Sequence, residues 1–89
     1  MLGAESVLRA RSGLASVEID GDMILYEDDR RRFHRLSPSA AAIWECLDGN
    51  SELAAIADDL AAVYGVEPGT VLQDVIRTVE QLAQEGLVS

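Results

Sequence analysis

The side chains in this chain that could do chemistry are few: one histidine, His34, one cysteine, Cys46, two adjacent carboxylate pairs, Asp28-Asp29 and Asp58-Asp59, and arginines at positions 30, 31, 32 and 35. An all-protein metal site needs several converging His, Cys or carboxylate ligands, and a single His and a single Cys on different elements do not supply them. His34 could serve as a general base, but between Phe33 and Arg35 on a strand it reads as a half-buried spacer. Cys46 has no base near it in sequence to lower its thiol pKa, so it reads as a small core residue rather than a nucleophile. Adjacent carboxylates on a turn or an exposed helix face are ordinarily solvated rather than paired for acid/base work. Gly65 and Gly69 lie at a helix–helix junction, not in a phosphate loop after a strand. Trp44, between Ile43 and Leu47, reads as packing. No enzyme, catalytic residue, metal or cofactor is therefore expected.

The arginines remain. The 89 residues carry 16 Asp and Glu against seven Arg and no Lys, a formal net charge of −9, which opposes binding to nucleic acid or to an anionic membrane. Yet four of the seven arginines fall in the six positions Arg30 to Arg35. If Arg32, Phe33, His34, Arg35 and Leu36 form an edge strand, its unpaired N–H and C=O groups can accept an added peptide strand. The arginines would then attract an acidic peptide, and they would also keep the edge soluble.

The elements that must position this strand are readable from period and turn chemistry. Ala15 to Ile19 alternates, Asp20-Gly21-Asp22 supplies a turn, and Met23 to Tyr26 is a short β-type run, so a hairpin is predicted. Glu27-Asp28-Asp29-Arg30 is too charged for a core element and reads as a second turn, with Arg32 to Leu36 as the third strand. An extended Val7 to Arg11 and a break at Ser12-Gly13 precede the meander, and residues 1–14 are expected to be flexible or extended.

From Ser37 the period changes to that of a helix. Ser37 caps the first helix, Pro38 suits its first position, Gly49 closes it, and Ile43, Trp44 and Leu47 form its core face. A second helix starts at Ser51, carries Leu53, Ile56, Ala57, Leu60 and Tyr64 inward, and stops at Gly65. The third opens at Pro68 with Leu72, Val75, Ile76, Val79 and Leu82, and Gly86 takes a left-handed cap with Leu87 folded back on Leu82. Strands followed by helices imply one α+β domain over residues 1–89, a three-stranded antiparallel sheet followed by three helices that cover one face. On helix three, Val71, Val75, Thr78 and Leu82 share a flank bordered by Asp74 and Gln81, which could wall a groove.

A hydrophobic content of 48% with 26% charged residues indicates a folded protein. A lone cysteine gives no internal disulfide, and the N-terminus carries no secretory or membrane-spanning run, so a cytoplasmic location and no membrane partner are expected.

Taken in order, Leu25-Tyr26, Phe33, Leu36-Ser37-Pro38, Ala42-Ile43-Trp44, Leu47-Asp48-Gly49, Ile56, Leu60, Tyr64-Gly65-Val66, Asp74-Val75, Leu82 and Gly86-Leu87 resemble the PqqD-like family, the RiPP precursor peptide recognition elements. The resemblance covers Ala15 to Val88, about four-fifths of the chain. It implies a winged-helix-like fold whose third strand pairs with the leader segment of a ribosomally made precursor, in a groove walled by the third helix. It also implies presentation to a maturation enzyme such as a radical SAM protein, a leader peptidase or a cyclase, without catalysis of its own. Carried over by position, Arg32 to Leu36 would pair with the leader and Asp74, Val75 and Thr78 would line the helix side. Ser37 stands where the family usually has Asn, Arg31 where many members have Gly, and Thr78 where a larger apolar residue is common.

Two other readings stand beside it. Helices two and three joined at Gly65 resemble a helix-turn-helix, but the reading helix would carry Asp74, Glu80 and Glu85 against Arg77 alone, so nucleic acid is not an expected partner. The third reading is a scaffold subunit that docks on a maturase without reading a peptide. A free-standing monomer or weak dimer is expected, since exposed edge strands can pair between copies.

Overall fold

A computed structural model describes residues 2–89. Three strands, β2 (Ala15–Ile19), β3 (Asp22–Glu27) and β4 (Arg32–Leu36), form an antiparallel meander in the order β2-β3-β4. The first connection is a two-residue turn in which Asp20 (φ 53°) and Gly21 (φ 87°) are both left-handed, the geometry that matches the strand twist in a tight hairpin. It sets Ile19 opposite Asp22 and Ala15 opposite Tyr26. The second connection closes on Glu27 opposite Arg32, and Arg31 supplies its left-handed residue at φ 51°. An arginine takes the conformation there that glycine adopts without strain.

Register decides the faces. Met23, Leu25, Glu27, His34 and Leu36 point to the helices and are buried, whereas Ile24, Tyr26, Phe33 and Arg35 lie on the outer side. β2 stays exposed along its length, because the helical layer reaches only β3 and β4.

Behind the sheet stand α1 (Pro38–Glu45), α2 (Leu53–Tyr64) and α3 (Pro68–Gln84). The Ser37 hydroxyl accepts a hydrogen bond from the Ala40 amide at 3.3 Å, as its capping role requires. α1 ends at Cys46 rather than continuing to Gly49, and Leu47 packs into the core from beyond the helix. α3 carries the densest part of the core: Val75 and Val79 have no exposed surface and Leu82 very little. Its end is a full Schellman motif, with Gly86 at φ 76°, the Leu87 amide donating to the Leu82 carbonyl and the Gly86 amide to the Ala83 carbonyl.

Three expectations are corrected. Ser51 does not open α2: it lies in a further strand, β5 (Asp48–Glu52), which pairs antiparallel with β1 (Val7–Arg9). The Asp48 carboxylate accepts from the amides of Asn50 and Ser51, which holds Ser51 in the strand and holds the Asp48 carboxyl below its usual range. The same N-terminal segment also pairs with the end of the chain, Arg9 exchanging backbone hydrogen bonds with Ser89. Tyr64 leaves the apolar stripe of α2 and is exposed, as are Val63 and Val66 beside it. Glu27, expected in a charged turn, is the last residue of β3 and has no exposed surface.

Candidate functional site

The hairpin register fixes which backbone groups of β4 are free. A two-residue turn makes Ile19 and Asp22 a hydrogen-bonded pair, so alternation along β3 sends the backbone groups of Asp22, Ile24 and Tyr26 toward β2. Those of Met23, Leu25 and Glu27 go toward β4, to their partners Leu36, His34 and Arg32. The N–H and C=O groups of Phe33 and Arg35 are left facing the open edge, where among the described residues β4 has no other strand neighbour.

Alongside that edge runs a groove of about 410 Å³ lined by Phe33, His34, Arg35, Leu36, Ser37 and Ala40 on one side and Thr78, Gln81, Leu82 and Glu85 on the other. The β4–α1 junction and the C-terminal half of α3 therefore make its two walls. The floor is apolar, from Leu36, Ala40 and Leu82, and the rim is polar. Phe33 is 72% exposed and its ring packs on Tyr26, centroids 4.7 Å apart, so a large apolar surface stands at the lip of the groove. An open strand edge beside a groove of mixed polar and apolar lining is suited to an extended peptide, with main-chain hydrogen bonds on one side and side-chain contacts on the other.

Beneath the strand lies a charged network. Glu27 Oε2 is 2.6 Å from His34 Nε2, Glu27 Oε1 accepts from Arg11 Nη1, and Arg32 Nε stands 3.5 Å from Oε2. Arg11 also donates to Asp29 at 3.0 Å, and His34 Nδ1 is 3.5 Å from Glu85 Oε2. The hydrogen bond to His34, with help from Arg11 and Arg32, holds the Glu27 carboxyl below its usual range although burial pushes the other way. On the outer face Arg35 Nε donates to Asp22 Oδ2 at 2.7 Å. Arg32 and Arg35 thus have anionic partners within the protein, while their side chains stay 47% and 73% exposed.

The structure brings seven of the expected residues to the groove: Phe33, His34, Arg35, Leu36, Thr78, Gln81 and Leu82. Arg32 sits just before it, over Glu27. Val75 is fully buried and supports the wall from beneath, and Val71 is half-buried against the core. Asp74 lies in a separate depression with Glu67, Thr70, Gln73 and Arg77, and pairs with Arg77 at 3.2 Å. Sequence reasoning left out Ser37, Ala40 and Glu85 as lining residues. The signal for Ala40 was its small size one turn from the strand; for Glu85, its place just before the capping Gly86.

Cys46 is half-buried, and burial, reinforced by Asp59, Glu45 and Asp48, pushes its thiol up, away from the thiolate. Among the described residues no three His, Cys, Asp or Glu side chains converge on a metal position, and no helix is long and apolar enough to cross a membrane.

A family model described as coenzyme PQQ synthesis protein D (PqqD) matches residues 22–88. No curated protein matches the chain significantly. Among solved structures, the solution NMR structure of the PqqD truncation of Methylobacterium extorquens PqqCD, described as a functional, stand-alone RiPP recognition element, is similar with a TM-score of 0.84 at 21% identity, over 100% of this chain and 95% of that one. A lasso peptide synthetase B1 complexed with the leader peptide gives 0.79 at 24% identity over 94% and 99%. TbiB1 in complex with the TbiA(beta) leader peptide gives 0.77 at 23% over 91% and 94%. At these identities the likeness establishes the fold: α+β, a three-stranded antiparallel sheet with three helices and, in this chain, the β1–β5 pair beside them.

Proposed function

The chain belongs to the PqqD family, and from that membership and the groove we propose that it binds the leader region of a ribosomally made precursor peptide as an added strand along β4 and presents it to a maturation enzyme. The observation that carries this reading is the free edge at Phe33 and Arg35 running beside the trough under Thr78, Gln81 and Leu82. Two structurally similar proteins were solved with leader peptides bound, which supports the same use of the fold here. The protein acts by recognition, without catalysis of its own, and a radical SAM protein, a leader peptidase or a cyclase is the class of enzyme that would receive the precursor.

The test is fluorescence anisotropy of a labelled leader peptide, taken from a small open reading frame beside the gene, titrated with the protein. Saturable binding that unlabelled leader competes away supports the reading. A folded protein that binds none of the neighbouring leaders but does bind a neighbouring maturase contradicts it in favour of a scaffold.

A further inference from the structure

Glu85 is the one carboxylate among the groove-lining residues. Its side chain is 41% exposed, and among the described residues its ion-pair partner is His34 Nδ1 at 3.5 Å. That imidazole is already committed through Nε2 to Glu27 at 2.6 Å, so one ring is shared between two carboxylates. The arginines that could cancel Glu85 are held elsewhere: Arg11 by Glu27 and Asp29, Arg32 by Glu27, and Arg35 by Asp22. Arg30 comes near Gly86 but makes no ion pair with Glu85.

Glu85 is also the C-cap of α3. The helix dipole is negative there, and a carboxylate is disfavoured where Lys, Arg or His would be favoured. A residue that opposes its local electrostatics, and lines a groove with only a histidine shared with a second carboxylate as partner, is the pattern of a functional position. The rest of the lining on α3 is neutral, Thr78, Gln81 and Leu82, so charge selection at this wall has a single source.

We infer that Glu85 selects a basic side chain, lysine or arginine, at one position of the bound strand; this rests on the strand-addition reading above. Thr78 and Glu85 are separated by about 10 Å along the helix at 1.5 Å per residue. An extended strand covers that distance in about three residues, and only alternate side chains face the helix. The basic residue therefore stands two or four positions from the side chain that packs beside Thr78. The net charge of −9 works in the same direction, favouring a cationic segment over an acidic one.

The probe is a display library of random short peptides selected in parallel against the wild-type protein and the Glu85→Lys and Glu85→Gln variants. Every pool is then rescreened on Phe33→Pro, which removes a free edge amide. The expected result is enrichment of Lys or Arg at one aligned position by the wild type and of Asp or Glu at that same position by Glu85→Lys. The apolar positions stay unchanged, and basic peptides lose about tenfold in affinity for Glu85→Lys. Glu85→Gln, which keeps the size of the side chain, should flatten the preference without reversing it. If peptides are enriched that depend on the free edge but show no basic position, or keep it in Glu85→Lys, the inference is overturned and the reading of the groove stands. If nothing is enriched, or enriched peptides bind Phe33→Pro equally well, strand addition itself fails and the selectivity falls with it.

Discussion

His34 Nε2 and Glu27 Oε2 lie 2.6 Å apart beneath the open strand, in a pair where the glutamate has no exposed surface and the histidine almost none. Glu27 ends β3, and its carboxylate joins three parts of the chain: β4 through His34 and Arg32, the N-terminal segment through Arg11, and, by way of His34, the end of α3 at Glu85. Turning His34 inward is what leaves Phe33 and Arg35 on the outer side of β4, their free backbone groups on the edge. A buried carboxylate left without such partners would be strongly destabilising, so the network is kept whole or the strand is disturbed.

The pH dependence follows from Glu27. Its folded carboxyl titrates below the unfolded value, about 4.3 for a free glutamate. The contribution to stability is therefore complete above that value and is lost as pH falls through the folded one. Thermal melts followed by circular dichroism should show wild type well above Glu27→Gln at neutral pH, with the gap narrowing as the solution is acidified. A gap that is constant with pH would contradict the assignment.

Proline distinguishes the two sides of β4. At Phe33 it removes an N–H that faces the open edge, and edge strands tolerate that; at His34 it removes one from the ladder to β3. Phe33→Pro should keep stability within about 1 kcal/mol and lose leader affinity about tenfold or more. His34→Pro should lose cooperative folding. The paired melts and anisotropy titrations check both.

Thr78 sets the depth of the groove at the end away from Glu85. It is half-buried and lines the wall beside Gln81. Thr78→Leu puts a larger side chain into that space and should weaken binding of the native leader while changing stability by less than about 1 kcal/mol. Restored binding of a leader with a smaller residue at the facing position would confirm the contact by double substitution.

Gly86→Ala tests the cap that places Glu85. At φ 76° an alanine pays a left-handed penalty of about 1–2 kcal/mol. The melting temperature should drop by about 4–8 °C for each kcal/mol in a domain of this size.

What the sequence made legible was local. The Asp20-Gly21 turn, the Ser37-Pro38 start of α1 and the Gly86 stop of α3 each rest on residues adjacent in the chain, and each stands as expected. The β1–β5 pair was not legible, because Gly49 reads as the close of the first helix and Ser51 as the start of the second, and Asp48 to Glu52 becomes a strand only when residues 7–9, about forty positions earlier, lie beside it. Glu27 was placed in a turn for its charge, and only the convergence of Arg11, His34 and Arg32 explains how that charge is held inside. The β4 half of the site was visible as a strand. Its α3 wall was blurred, since helical period alone gives a flank and not which end of it meets the strand; Val75 and Asp74 lie on that flank but away from the groove, and Glu85 lies in it.

In the proposed strand addition, a peptide pairs with β4 through the backbone of Phe33 and Arg35. Residue-resolved hydrogen exchange, by NMR, with and without saturating leader peptide, reads those groups directly. The Phe33 and Arg35 amides should exchange quickly in the free protein and become protected on binding, while the His34 amide, already bonded to β3, changes little. Binding that leaves both edge amides unprotected would contradict it.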